Sequence, residues 1–222
     1  MPDLYEIGPG HLPPYRGVLF DLLSALLDSW SLWNNIAGNP DAGRRWRAEY
    51  LRITYGTSEY CPYSELVADA AEAAGLSPNL AQTLEARYAE LQPWPEARQT
   101  LQTLASAGIP LGIVTNCSER LGRIAAARLE VDFSVIVTAE RAGFYKPHPL
   151  PYQLALSELK LKPEQCLFVA GSPYDLTGTA AAGLPTFWHN RLGLRPPPNC
   201  PVPHREATSL APLLSQFESS QA

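Results

Sequence analysis

The most constraining feature of this chain is a series of short apolar runs, each giving way to polar residues at its end. Gly17–Phe20 stops at Asp21, and Leu111–Val114 stops at Thr115-Asn116. Ser134–Thr138 leads into the loop that carries Lys146, and Leu167–Ala170 leads into Gly171-Ser172-Pro173-Tyr174-Asp175. Thr186–Trp188 is a shorter, fifth run. Short, continuously apolar runs fit strands buried on both faces, as in a parallel sheet. Helical stretches separate them. Glu96–Ala107 closes at Gly108, Ser118 caps a helix reaching about Leu129, Pro151–Leu159 follows, and a last one ends at Ala182 before Gly183. This alternation predicts an α/β fold built on a doubly wound, Rossmann-like parallel sheet. In such sheets ligands bind beyond the carboxyl ends of the strands. Asp21, Thr115, Asn116, Lys146, Ser172 and Asp175 all fall there.

Between the first and second runs the pattern is different. Leu22, Leu23, Leu26, Leu27, Trp30 and Trp33 recur at helical spacing, followed by helical segments over Arg44–Tyr55, Tyr63–Ala74 and Leu80–Leu91. Nothing in this stretch reads as a strand. The expectation is an all-helical cap subdomain inserted after the first strand, spanning 29–92, with 1–28 and 93–222 forming the core domain. Pro93-Trp94-Pro95 punctuates the return to the core. Residues 1–16 read as an extended arm, 192–203 as loop and 207–217 as a final helix.

Composition narrows the partners. The chain has 222 residues, 45% apolar and 18% charged, which excludes a disordered chain and leaves ample material for a core. The net charge of −5 comes without a Lys/Arg cluster, which argues against nucleic acid or an anionic membrane surface. No apolar run approaches the ~20 residues of a membrane span, and the first residues lack the apolar segment of a secretory signal. Cys61, Cys117, Cys166 and Cys200 form no CxxC pair. That argues against a zinc site or a disulfide framework and for a reduced, cytoplasmic setting.

Taken singly, each polar group has an ordinary explanation. An Asp after a strand is a turn residue, Thr-Asn or Ser before a helix is a cap, and a Lys beside Pro is a solvated loop charge. Four such groups, in this order on successive strand ends, call for another. Leu19-Phe20-Asp21, Val114-Thr115-Asn116, Tyr145-Lys146-Pro147 and Gly171-Ser172-Pro173-Tyr174-Asp175 resemble the four motifs of the haloacid dehalogenase superfamily. The resemblance covers roughly residues 17–192 and makes the helical insertion the cap of that superfamily.

Residues 23 and 171 bear on the reaction. A magnesium-dependent phosphatase of this superfamily carries a second Asp two residues after the nucleophile, to protonate a poor leaving group. It also carries further carboxylates near the metal in the fourth motif. Here Leu23 and Gly171 stand in those places. A halide leaves as a stable anion and needs neither acid nor metal. Asp21-Leu22-Leu23 resembles the start of the L-2-haloacid dehalogenases. So do Tyr152 six residues after Lys146, the cap segment from Arg44 to Glu49-Tyr50, and Leu184–Arg191.

That resemblance implies a hydrolase with no metal or other cofactor, acting on a small carboxylate. Asp21 would attack the halogen-bearing carbon, halide would leave, and water would hydrolyse the aspartyl ester. Lys146 would orient Asp21, and Asp175 would hold Lys146 or position water. Thr115 and Ser172 would bind the substrate carboxylate or polarise water. Arg44, Asn116 and Tyr174 would cradle the halide, with Arg45 and Arg47 as rivals of Arg44. Tyr152 and Leu23 would complete the substrate pocket, and a homodimer is expected. Trp30 and Trp33 are expected to pack between cap and core. His148 and His189-Asn190-Arg191 read as loop residues, and Cys117 as a small apolar filler.

The pattern also departs from those enzymes. They commonly follow the nucleophile with an aromatic, Gly and Thr, and place two Ser and an Asn before the last Asp. Here the residues are Leu23-Ser24-Ala25 and Ala170-Gly171-Ser172. The hydroxyl on the nucleophile is therefore expected to be lost, with Ser24 pointing elsewhere. Alternatives are a hydrolase of another carboxylated electrophile such as azetidine-2-carboxylate, a magnesium phosphatase, and a non-catalytic small-molecule binder on the same fold.

Overall fold

The computed structural model describes residues 15–217; most of the expected N-terminal arm lies outside them. Six strands, β1 (Gly17–Phe20), β2 (Leu111–Thr115), β3 (Val135–Thr138), β4 (Cys166–Ala170), β5 (Thr186–His189) and β6 (Arg205–Ala207), form one sheet. Their order is β3-β2-β1-β4-β5-β6, and every neighbouring pair is parallel. All residues of β1, β2, β4 and β5 are buried, because crossover helices cover both faces. The strand order reverses at β1, so Asp21 sits at the switch point where the crevice of such a sheet opens.

Four helices, α1 (Ser29–Ile36), α2 (Pro40–Gly56), α3 (Tyr63–Ala73) and α4 (Leu80–Ala86), lie between β1 and α5 (Ala97–Ser106). The remaining helices are α6 (Glu119–Ala127), α7 (Ala139–Ala142), α8 (Pro149–Leu159) and α9 (Asp175–Ala181). Asn39 caps α2 by accepting the Ala42 amide at 2.9 Å, with Pro40 at the first helical position. Aromatic residues fill the space among α1, α2 and α3. Trp33 packs on Trp46 and Tyr50 with centroids 4.5 and 5.3 Å apart, and the Trp46 indole donates to Val67 O. The Tyr50 hydroxyl donates to the Asn116 carbonyl at 2.7 Å and ties these helices to the end of β2. Among the described residues no helix is long and apolar enough to cross a membrane.

The structure corrects the sequence reading in several places. Leu22–Leu27 form turns, and α1 starts only at Ser29. Arg205–Ala207 add an edge strand paired with Phe187–His189. Two of its three residues are exposed, so it lacked the apolar run that marks the other strands. The expected final helix is a 3-10 turn, Ala211–Gln216, anchored by buried Leu213. His189 and Asn190 are buried rather than on a surface loop.

Candidate active site

Asp21 follows β1 directly, and its own amide donates to Val169 O of the neighbouring strand at 2.9 Å. The chain then folds back so that three donors converge on Asp21 Oδ2. They are the Ser24 amide at 2.9 Å, the Ala25 amide at 3.2 Å and Ser24 Oγ at 2.7 Å. A helix through Leu22–Leu27 would commit those amides to its own ladder, and the carboxylate holds them in turns instead. Ser24 therefore points at Asp21, contrary to the sequence expectation. It supplies from one residue earlier the hydroxyl that Ala25 lacks. Gly171 makes this arrangement possible: a Cβ there would overlap the Ala25 nitrogen and lie 2.5 Å from Ser24 Oγ.

The turn is also held from behind. Trp94 Nε1 donates to Ser24 O at 3.0 Å, and His189 Nδ1 lies 2.8 Å from Ala25 O. A carbonyl only accepts, so Nδ1 carries the proton. Burial pushes the His189 pKa down, which keeps the ring neutral.

On the other side, Lys146 Nζ bridges Asp21 Oδ1 at 2.9 Å and Asp175 Oδ1 at 2.8 Å. The lysine is 1% exposed. Its main chain is clamped by Asn116, which accepts the Lys146 amide at 2.7 Å and donates to its carbonyl at 3.0 Å. Asn116 thus positions the lysine through both ends of its amide. Asp175 Oδ2 is buried without a hydrogen-bond partner.

Charge separates the three groups. Burial alone raises the Asp21 pKa, but Lys146 and the Ser24 donors outweigh it and hold the carboxyl below its ordinary value. Burial also raises Asp175; Lys146 opposes this, the charge of Asp21 adds to it, and the result is a raised pKa. Burial disfavours charged Lys146, yet the two carboxylates raise its pKa. The result is an Asp21 held toward its ionised form beside a more basic Asp175. Among the described residues no group of three or more His, Cys, Asp or Glu is arranged to hold a metal ion.

Over this base lies a cavity of about 30 Å³, lined from the core by Asp21, Leu23, Ser24, Asn116, Lys146, Ser172 and Asp175. Arg47, Tyr50, Leu51 and Tyr55 of α2 form its roof. Arg47 lies there, and Arg44 does not. The Arg44 side chain is 61% exposed and pairs with Asp41 at 2.5 Å. Arg47 is 4% exposed, and its Nε and Nη1 have no hydrogen-bond partner. Its guanidinium lies 4.9 Å from the Trp30 ring centroid and 5.3 Å from that of Trp33, so both tryptophans cradle it as well as packing. The stripe Gly43-Trp46-Arg47-Tyr50-Thr54 is the buried face of α2, and its helical spacing is the signal that separates Arg47 from Arg44 and Arg45.

The remaining expected residues divide. Ser172 lines the cavity, and its Oγ accepts the Tyr174 amide at 3.3 Å. Thr115 is buried but does not line the cavity. Tyr174 stands outside it, 4.8 Å from the Tyr55 ring. Tyr152 is buried beneath α9, against Gly178 and Phe168, with its hydroxyl unpartnered. Cys117 is buried and its thiol is pushed up to about 12, which agrees with a packing role. Tyr55 was missed in the sequence because an aromatic on a helix is ordinarily packing.

The site is an Asp–Lys–Asp constellation at the switch point of a doubly wound parallel sheet, roofed by inserted helices. The profile of the haloacid dehalogenase-like hydrolases matches residues 15–183, and the chain belongs to that family. It is 29% identical over 205 residues to (S)-2-haloacid dehalogenase 2 of Pseudomonas sp. (strain CBS-3), covering 82% of this chain and 89% of that one. It is 34% identical over 115 residues to haloacetate dehalogenase H-2 of Moraxella sp. (strain B), a match spanning 51% of each protein. A crystal structure of an L-2-haloacid dehalogenase superposes with TM-score 0.80 at 26% identity, covering 93% of this chain and 100% of that chain. The enzyme of Xanthobacter autotrophicus with chloropropionic acid covalently bound shares the fold at TM-score 0.81 and 20% identity, covering 93% and 100%.

Proposed function

We propose that this chain hydrolyses small L-2-haloacids to 2-hydroxy acids through a covalent ester on Asp21. The observation that carries the reading is an ionised carboxylate held by Lys146 and three further donors, with Leu23 where a leaving-group acid would stand. Asp21 attacks the α-carbon, the carbon–halogen bond breaks with its electron pair, and configuration inverts. Arg47, buried with two unpaired nitrogens at the cavity roof, receives the departing halide. Asp175, whose raised pKa suits a base, takes a proton from water as that water attacks the ester carbonyl. The carbonyl then reforms, the leaving alkoxide takes that proton back from Asp175 to become the 2-hydroxy acid, and Asp21 is restored as its new acid proton passes to solvent. Ser172 hydrogen-bonds the substrate carboxylate, and Leu23 and Leu51 exclude water. In this reading 29–92 form the cap, 1–28 and 93–222 form the core, and the enzyme is a cytoplasmic homodimer without a nucleic-acid partner.

The test is chloride release from L-2-chloropropionate in EDTA, with p-nitrophenyl phosphate plus Mg²⁺ in parallel. Chloride release that survives EDTA and disappears in Asp21→Asn is expected. Magnesium-dependent phosphate release lost in the same variant would overturn the reading. Gel filtration checks the dimer.

A further inference from the structure

The cavity over Asp21 is small, about 30 Å³. Immediately beside it lies a second cavity of about 240 Å³, lined by Tyr55, Gly56, Thr57, Ser58, Tyr145, Pro147 and His148. Among the described residues Tyr55 is the one that lines both. It comes from the last turn of α2, is half-buried, and lays its ring against Tyr174 with centroids 4.8 Å apart. Its hydroxyl reaches to 3.4 Å from Asp175 Oδ1, at the long limit of a hydrogen bond. The other roof residues are fixed more firmly. Tyr50 is 3% exposed and bonded to Asn116 O, and Arg47 is 4% exposed between two tryptophans. Tyr55 is therefore a wall with a large space behind it and a single long polar tether in front.

We propose that the Tyr55 ring is the partition that limits this enzyme to short 2-haloacids, those with two or three carbons, by closing the Asp21 cavity off from the neighbouring one. The inference rests on the dehalogenase reading and adds a specificity-determining residue to it. A substrate whose α-carbon lies against Asp21 has its side chain stopped by the phenol. With the ring removed, the two cavities become one and a longer side chain extends toward Thr57 and Pro147. The polar tether is secondary: it holds the ring in place, while the bulk of the ring excludes the chain.

The experiment compares kcat/KM for halide release from 2-chloropropionate and 2-chlorohexanoate in the wild type, Tyr55→Ala, Tyr55→Leu and Tyr55→Phe. Tyr55→Ala is expected to raise the hexanoate-to-propionate ratio by about tenfold or more, the scale of methylene discrimination in an apolar pocket. Tyr55→Leu, which keeps apolar packing against Tyr174, is expected to shift the ratio in the same direction. Tyr55→Phe keeps the partition and the wild-type ratio. An unchanged ratio in the two truncated variants, or an equal shift in Tyr55→Phe, would overturn the partition. A wild type that releases no halide from either acid would overturn the dehalogenase reading instead. The partition is then read from calorimetric binding of lactate and 2-hydroxyhexanoate, whose affinity ratio should shift in Tyr55→Ala as the kinetic ratio would. An unshifted ratio there also overturns it.

Discussion

On the core side of the site, both oxygens of Asp21 are engaged, one by three donors and the other by Lys146. On the cap side, Arg47 faces the same cavity with two buried nitrogens unpaired. A charged group that is buried and unpaired costs several kcal/mol, and an anion entering the cavity relieves that cost. The strand ends thus hold a fully bonded carboxylate, and α2 holds a buried cation with donors unused. The difference teaches that one cavity can be bordered by a satisfied anion on one side and an unsatisfied cation on the other.

The strongest way to break this contrast is on the core side. Lys146→Met leaves Asp21 and Asp175 facing each other without their cation. It should destabilise the protein by about 3–5 kcal/mol in urea denaturation and abolish detectable turnover. The linkage has a definite sign. The folded pKa of Lys146 is raised above its ordinary 10.5, so its stabilisation is complete below that pH and is lost as pH rises through the folded value. Wild-type stability should therefore fall on the alkaline side, and the part due to Lys146 should be missing in the variant.

Next comes the cap. Arg47→Met should lower kcat/KM by roughly a hundredfold, equivalent to about 3 kcal/mol, while Arg44→Ala stays within about 0.5 kcal/mol of wild-type stability with unchanged kinetics. Equal losses in both would erase the distinction between the buried and exposed faces of α2.

A smaller effect is expected at the join. Gly171→Ala forces a methyl into the Ser24–Ala25 peptide and should cost about 1–3 kcal/mol as overpacking, measured by thermal unfolding. The subtlest effect is in the pH profile. Asp175 is raised and Asp21 lowered, so on acidification ester formation by ionised Asp21 should persist after hydrolysis of the ester, which needs ionised Asp175, has weakened. In single-turnover experiments the ester should accumulate at low pH, and its absence would remove Asp175 from the hydrolytic step.

Much of this was legible in the residues. β1 to β5 announced themselves as apolar runs because strands buried on both faces admit little else. Asp21, Lys146 and Asp175 stood at strand ends where a parallel sheet places its ligands. The edge strand β6 carried no such signature, since Arg205 and Glu206 face solvent. Leu22–Leu27 had helical spacing, but the carboxylate of Asp21 took the amides that a helix needs. Ser24 was misplaced for the same reason: its direction follows from that turn and from the space left at Gly171.

The sequence by itself determined strands β1 to β5 and the charged trio, because periodicity and strand-end position are local properties of the chain. Tertiary structure alone decided that Ser24 supplies the hydroxyl Ala25 lacks and that Tyr55 lines two neighbouring cavities. Each of these depends on how a helix is rotated or a turn is packed against a distant segment. The contacts that fix such rotations lie far apart in the chain, as Tyr50 and Asn116 do, where no local pattern records them.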